Sequence, residues 1–164
     1  MTQLELANYL LENMKKENIV MNSGNCGMFA FALSKIMKEY DESYESLMIF
    51  FHEPKDIEET RELADREIMV YHIALAFDGL KTSKKNMEVF DADGVVKIDF
   101  IYNWIKEEYG QGKDYVSIHL GSENENECLF VIRNETCFKN NWTYFYDKMQ
   151  NYINNFEPEN KLSM

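Results

Sequence analysis

Apolar residues in the first part of the chain recur at helical spacing. Leu4, Ala7, Leu11 and Met14 share one face of a 3.6-residue period, and Thr2 with Glu5 forms a capping-box pair, so a first helix is predicted over 2–16. The polar stretch 18–25, ending in Ser23-Gly24-Asn25, breaks the pattern. Cys26, Phe29, Ala30, Leu33, Met37 and Tyr40 then make a second stripe with Met28, Ala32 and Ile36 beside it, and a helix so apolar at its start belongs inside a core. Further on the period changes. Residues 47–51 and 67–77 read as strands, with 52–66 as a charged surface excursion around Pro54. Asp78-Gly79 is a turn signal, and 86–90 reads as the strand returning beside 67–77. Ile98, Ile101, Trp104 and Ile105 predict a helix within 96–109, residues 115–120 and 128–133 read as two further strands, and Trp142 to Phe156 marks a closing amphipathic helix. Two helices followed by mostly antiparallel strands, a crossing helix and a terminal helix make an α+β layout. We expect one domain over 1–157 and a frayed tail over 158–164.

Composition narrows the class. The 164 residues are 45% hydrophobic and 14% aromatic, with seven Gly and two Pro, which supports a buried core and argues against disorder or low complexity. A net charge of -12 repels nucleic-acid phosphate and anionic membrane surfaces, so neither is an expected partner, and a macromolecular partner is expected to be basic. No apolar run has membrane-spanning length and the start of the chain lacks a signal-peptide pattern, so a cytoplasmic protein is expected. Lys and Asn far outnumber Arg, as AT-rich coding produces in phage or low-GC bacterial genes; for a phage gene the compartment is the host cytoplasm. Cys26, Cys128 and Cys137 are an odd set without a CxxC pair, so reduced thiols are expected, with no metal site and no cofactor.

One constellation could carry chemistry. Gly24-Asn25-Cys26-Gly27 puts a cysteine at the first turn of a helix, where unpaired amides and the positive end of the helix dipole stabilise a thiolate. A buried structural thiol is the equally weighted alternative. A hairpin centred midway along its loop sets His72 opposite Asp91, and strand alternation puts His72 with Ala74 and Ala76 on one face. Those small side chains would admit a helix closely, and the Cys26 helix is the candidate. Cys26, His72 and Asp91 would then act as nucleophile, base and orienter, with Asp93 replacing Asp91 if the register slips. Asn22 or Asn25 could donate to an oxyanion, or equally serve the loop and cap. Asp91-Ala92-Asp93-Gly94 resembles a calcium loop only superficially, because its glycine comes too early and no bidentate Glu follows.

The run Gly24-Asn25-Cys26-Gly27-Met28-Phe29-Ala30, His72 within Val-Tyr-His-Ile-Ala-Leu-Ala-Phe, and Phe90-Asp91-Ala92-Asp93-Gly94 together resemble small papain-like cysteine hydrolases, including distant NlpC/P60-type members from bacteria and phages. The resemblance covers about residues 20–100. It implies a nucleophile helix packed on an antiparallel sheet, with Cys26, His72 and Asp91 as the triad. The implied activity is hydrolysis of an amide, isopeptide or thioester carbonyl in a protein or peptide, as a peptidase or protein deamidase. Val20 stands where papain itself has its oxyanion glutamine, and Gly27-Met28-Phe29 lacks papain's tryptophan, which excludes papain proper.

A second function class remains open beside it: a non-enzymatic acidic binding protein, for instance a phage-encoded inhibitor or a mimic of nucleic-acid charge. The other reactive residue types take ordinary readings. His52 is read as solvated in the charged excursion, His119 as a polar-face strand residue, and Cys128 and Cys137 as inert thiols.

Overall fold

The computed structural model describes residues 1–21, 26–52, 70–83, 86–109, 116–121 and 142–156. Within them the fold is α+β, as the periodicities predict. Helix α1 (Gln3–Lys16) opens where Thr2 Oγ1 accepts the Glu5 amide at 3.1 Å. It ends at Asn18, whose φ of 56° lies in the left-handed region. The Asn18 and Ile19 amides turn back to the carbonyls of Lys15 and Met14, which closes the helix as a Schellman motif. Helix α2 (Cys26–Tyr40) follows, buried along nearly its whole length.

Five strands then form one antiparallel sheet: β1 (Ser46–His52), β2 (Val70–Phe77), β3 (Glu88–Asp91), β4 (Gly94–Lys97) and β5 (Val116–Gly121), in spatial order β4-β3-β2-β1-β5. Helix α3 (Ile98–Tyr109) leads from β4 toward β5, and α4 (Trp142–Asn154) follows.

The period-two pleat divides the strands between two apolar clusters. Met48, Phe50, Ile73, Leu75, Phe77 and Phe90 join α1, α2 and α4 in the larger one. Ile49, Phe51, Ala74 and Val89 join Ile98, Ile101 and Ile105 of α3 in the smaller one. The sheet therefore separates a three-helix layer from a single helix. Phe29 and Leu33 of α2, at most 1% exposed, pack in the larger cluster with the large side chains of β2. A hydroxyl pair, Ser34 Oγ and Ser46 Oγ at 2.6 Å, ties α2 to the start of β1 inside this layer.

Three details depart from the sequence reading. First, β4 was not expected: Val95 and Val96 pair with Phe90 and Val89, so Ala92-Asp93 is a hairpin turn and α3 begins only at Ile98. β-Branched residues beside a turn favoured the ladder over an earlier helix start. Second, β2 from Val70 onward is not a regular strand, residues 67–69 lying outside the described residues. Its ladder with β1 contains a bulge, since Phe51 faces His72 but His52 faces Val70, leaving Tyr71 as the extra residue. Third, His52 is the last residue of β1 and is fully buried, so it is not the solvated loop residue expected from its charged neighbours. The excursion beyond it, the expected strand 128–133 and the tail 158–164 lie outside the described residues. No helix among the described residues is long and apolar enough to cross a membrane.

Candidate functional site

β2 and β3 pair with Leu75 opposite Phe90. Continued along the ladder, this register sets Ala74 opposite Asp91, two residues from the expected partner. A shift of two preserves the face, so His72 and Asp91 still share a side of the sheet and meet diagonally. His72 Nε2 and Asp91 Oδ2 lie 2.9 Å apart.

Asp91 is held from its other side as well. Its Oδ1 accepts the Asp93 amide at 2.8 Å, and the turn closes on Gly94 with φ of 91°. The carboxylate is 5% exposed as a residue and the His72 side chain 13% exposed. An ionised carboxylate can only accept, so opposite one the donor is His72 Nε2. No hydrogen bond reaches Nδ1 among the described residues. The bond to Asp91 fixes the orientation of the His72 ring.

The surroundings of His72 decide which helix it serves. Its ring lies 6.0 Å from Phe51, in the smaller cluster, and 6.0 Å from Trp104 of α3. Ala74 and Ala76 do admit a helix, but that helix is α3. Cys26 is the first residue of α2, half-buried, and packs against the larger cluster on the opposite face. The expected triad of Cys26, His72 and Asp91 is therefore assembled only in its His-Asp half. The physical reason is bulk: α2, apolar around most of its circumference, packs in the layer that receives Ile73, Leu75 and Phe77 and leaves the alanine face to α3.

Asp93 supplies only a backbone amide and is exposed, so Asp91 is the orienting carboxylate. Asn22 and Asn25 fall outside the described residues, as do Cys128 and Cys137. His119 lies on β5 opposite Ile49 in the ladder. Among the described residues no three His, Cys, Asp or Glu side chains converge as metal ligands. An open cleft of about 900 Å³ lies between residues 43–47 and 76–82, at the other end of β2 from His72. Several of its polar groups are already engaged within the protein, Gln3 Nε2 with the Glu45 carbonyl at 2.8 Å and Ser46 with Ser34.

The residue that sequence reasoning missed is Trp104. In the sequence it counts only as one of the residues at helical spacing with Ile98, Ile101 and Ile105, yet it sits beside their buried stripe, four residues after Phe100. Both rings are exposed, Phe100 at 64% and Trp104 at 38%.

The chain matches no family model, and no curated protein or solved structure matches it. Its likeness to papain-like hydrolases thus rests on the Cys, His and Asp segments alone.

Proposed function

We propose that this is an acidic binding protein that engages a basic partner through its surface charge. The observation that carries the reading is the net charge of -12 on a chain of 164 residues. Such a field attracts cationic surfaces over roughly one Debye length, about 8 Å at physiological salt, and raises the rate of encounter more than it deepens the final complex. The separation of Cys26 from His72 by the sheet supports it by removing the most direct route to covalent turnover. The test is titration of the whole protein with a fluorescein-labelled amphipathic Leu/Lys peptide and its Leu/Glu counterpart, read by anisotropy. Binding of the Lys peptide alone, weakening as salt rises, is the expected result. Equal binding of both peptides, or of neither, would overturn the reading.

A second reading is kept because the 2.9 Å His72-Asp91 pair, braced by the Asp93 amide, is built as a general base. It is the cysteine hydrolase of the sequence resemblance. There the Cys26 thiolate adds to an amide, isopeptide or thioester carbonyl, His72 returns a proton to the leaving group, and water then releases the acyl-enzyme. Because Cys26 and His72 lie on opposite faces here, this reading requires a rearrangement that brings the thiol to the imidazole. Iodoacetamide labelling discriminates: a hydrolase labels Cys26 ahead of Cys128 and Cys137, and His72→Ala slows that labelling.

A further inference from the structure

Resting on the binding reading above, we propose that the outer flank of α3, centred on Phe100 and Trp104, is the docking surface for a basic, partly apolar segment of a partner protein.

The flank is defined by helix geometry. Ile98, Ile101 and Ile105 turn toward the sheet and are at most 8% exposed. Phe100 and Trp104 are four residues apart, hence neighbours on one side of the same helix, and stay 64% and 38% exposed. Each leaves apolar area in water, Phe100 most of all. Among the described residues the other exposed large apolar side chains, Val20, Leu47, Val95 and Tyr144, are scattered singly along the chain, and single exposed residues of that kind are ordinary.

Trp104 is also supported from beneath. Its ring meets His72 edge to face at 6.0 Å, and His72 is fixed by Asp91. An aromatic ring already held in place loses little conformational freedom when a partner covers it, which is the property of an interface anchor.

Charge selects the occupant. Glu107 and Glu108, three and four residues past Trp104, are exposed on the same flank, whereas Asp99 and Lys106 fall on other sides of the helix and Lys97 precedes it. A cationic side chain can lie over the Trp104 ring while Glu107 and Glu108 face its charge. A second copy of this chain, carrying the same -12, would be repelled.

The experiment uses the full chain and the labelled Leu/Lys peptide, with four proteins compared: wild type, Trp104→Ala, Phe100→Ala and Tyr144→Ala. Phe100→Ala is included because Phe100, at 64% exposure, can be truncated without disturbing His72 if Trp104→Ala proves unstable. The expected result is about a tenfold or greater loss of affinity for both α3 variants and none for Tyr144→Ala. Peptide binding that is unchanged in both α3 variants would overturn the docking surface while leaving the binding reading intact. Absence of charge-selective binding in wild type would instead remove the binding reading itself. Concentration-dependent dimerisation that is lost in Trp104→Ala would overturn the basic partner in favour of a second copy.

Discussion

The two faces of the sheet are made by the same strands and bury different chemistry. Toward α1, α2 and α4, the strands present Phe50, Ile73, Leu75 and Phe90 to Leu10, Met14, Phe29 and Phe145, with almost no exposed area between them. Toward α3, they present Ile49, Phe51 and Ala74, and beside these the hydrogen-bonded pair His72 and Asp91. A layer covered by three helices is dry, and an imidazole there would need every nitrogen satisfied internally. On the other face α3 is the covering helix among the described residues, and the His72 side chain there stays 13% exposed. The polar pair and the exposed aromatic rings of α3 thus share the α3 face.

Two adjacent residues test this contrast most strongly. Phe50 and Phe51 are both fully buried, one on each face. Phe50→Ala should cost about 3–5 kcal/mol, because a cavity among three packed helices relaxes poorly. Phe51→Ala should cost less, near the lower end of that range or about 3 kcal/mol, since His72 and Tyr102 border the vacated space and can shift into it. Urea unfolding of both variants provides the comparison. Equal costs would mean that the α3 face is as rigidly packed as the other.

Next in size is the polar pair itself. Asp91→Ala leaves His72 and the Asp93 amide without their acceptor and should destabilise by about 1–3 kcal/mol. His72→Ala should cost less, because Asp91 retains the Asp93 amide. If the opposite order is measured, the imidazole rather than the carboxylate is the organising element of the turn.

Much of this was legible in the chain. α1, α2 and α4 follow from strict apolar periodicity and, for α1, from a cap. The approach of His72 to Asp91 was readable because the face on which a strand residue lies depends on parity, and an error of two in register leaves parity intact. Parity does not say which helix covers which face. That depends on whether the bulky or the small side of β2 better matches α2, a packing question settled across residues far apart in sequence. Ala74 and Ala76 were correctly read as admitting a helix, and the wrong helix was assigned to them. β4 was hidden for a different reason: Val95 and Val96 fit the start of the following helix pattern, and only their pairing with Phe90 and Val89 distinguishes a strand. His52 was misplaced because a charged sequence context says nothing about the direction of one strand-end side chain.

The turn that anchors Asp91 offers a smaller effect, about 1–2 kcal/mol. Gly94 has φ of 91°, which side-chain-bearing residues adopt at that cost, although a methyl group there would meet nothing closer than Leu11 Cδ2 at 3.8 Å. Gly94→Ala should therefore destabilise through backbone strain without a clash. His72 nuclear magnetic resonance signals should move with it if the turn positions Asp91. Unchanged stability would show that the turn relaxes, and that Asp91 is held mainly by His72.

The smallest effect lies at the rim of the three-helix face, where polar contacts join helices without entering the core. The Tyr146 hydroxyl donates to the Glu39 carboxylate, and the Tyr152 hydroxyl donates to Glu17. Hydrogen bonding to Glu39, with some burial, pushes the Tyr146 phenol up to about 12. Burial first, then its bond to Glu17, raises that of Tyr152 as well. A phenol whose folded value lies above its unfolded value of 10.0 contributes stability that is complete below that pH and is lost as pH rises through about 12. Glu17 shifts the other way, lowered chiefly by the Tyr152 hydroxyl, so its contribution holds above the usual carboxylate range and fades in acid. Absorbance titration of phenolate should show a late-ionising class that loses one member in Tyr146→Phe, while Glu39→Gln returns Tyr146 to the ordinary class. Neither change should disturb the His72 resonances across the sheet. A shift of His72 in either variant would mean that the two faces are coupled, contrary to the separation that the strands impose.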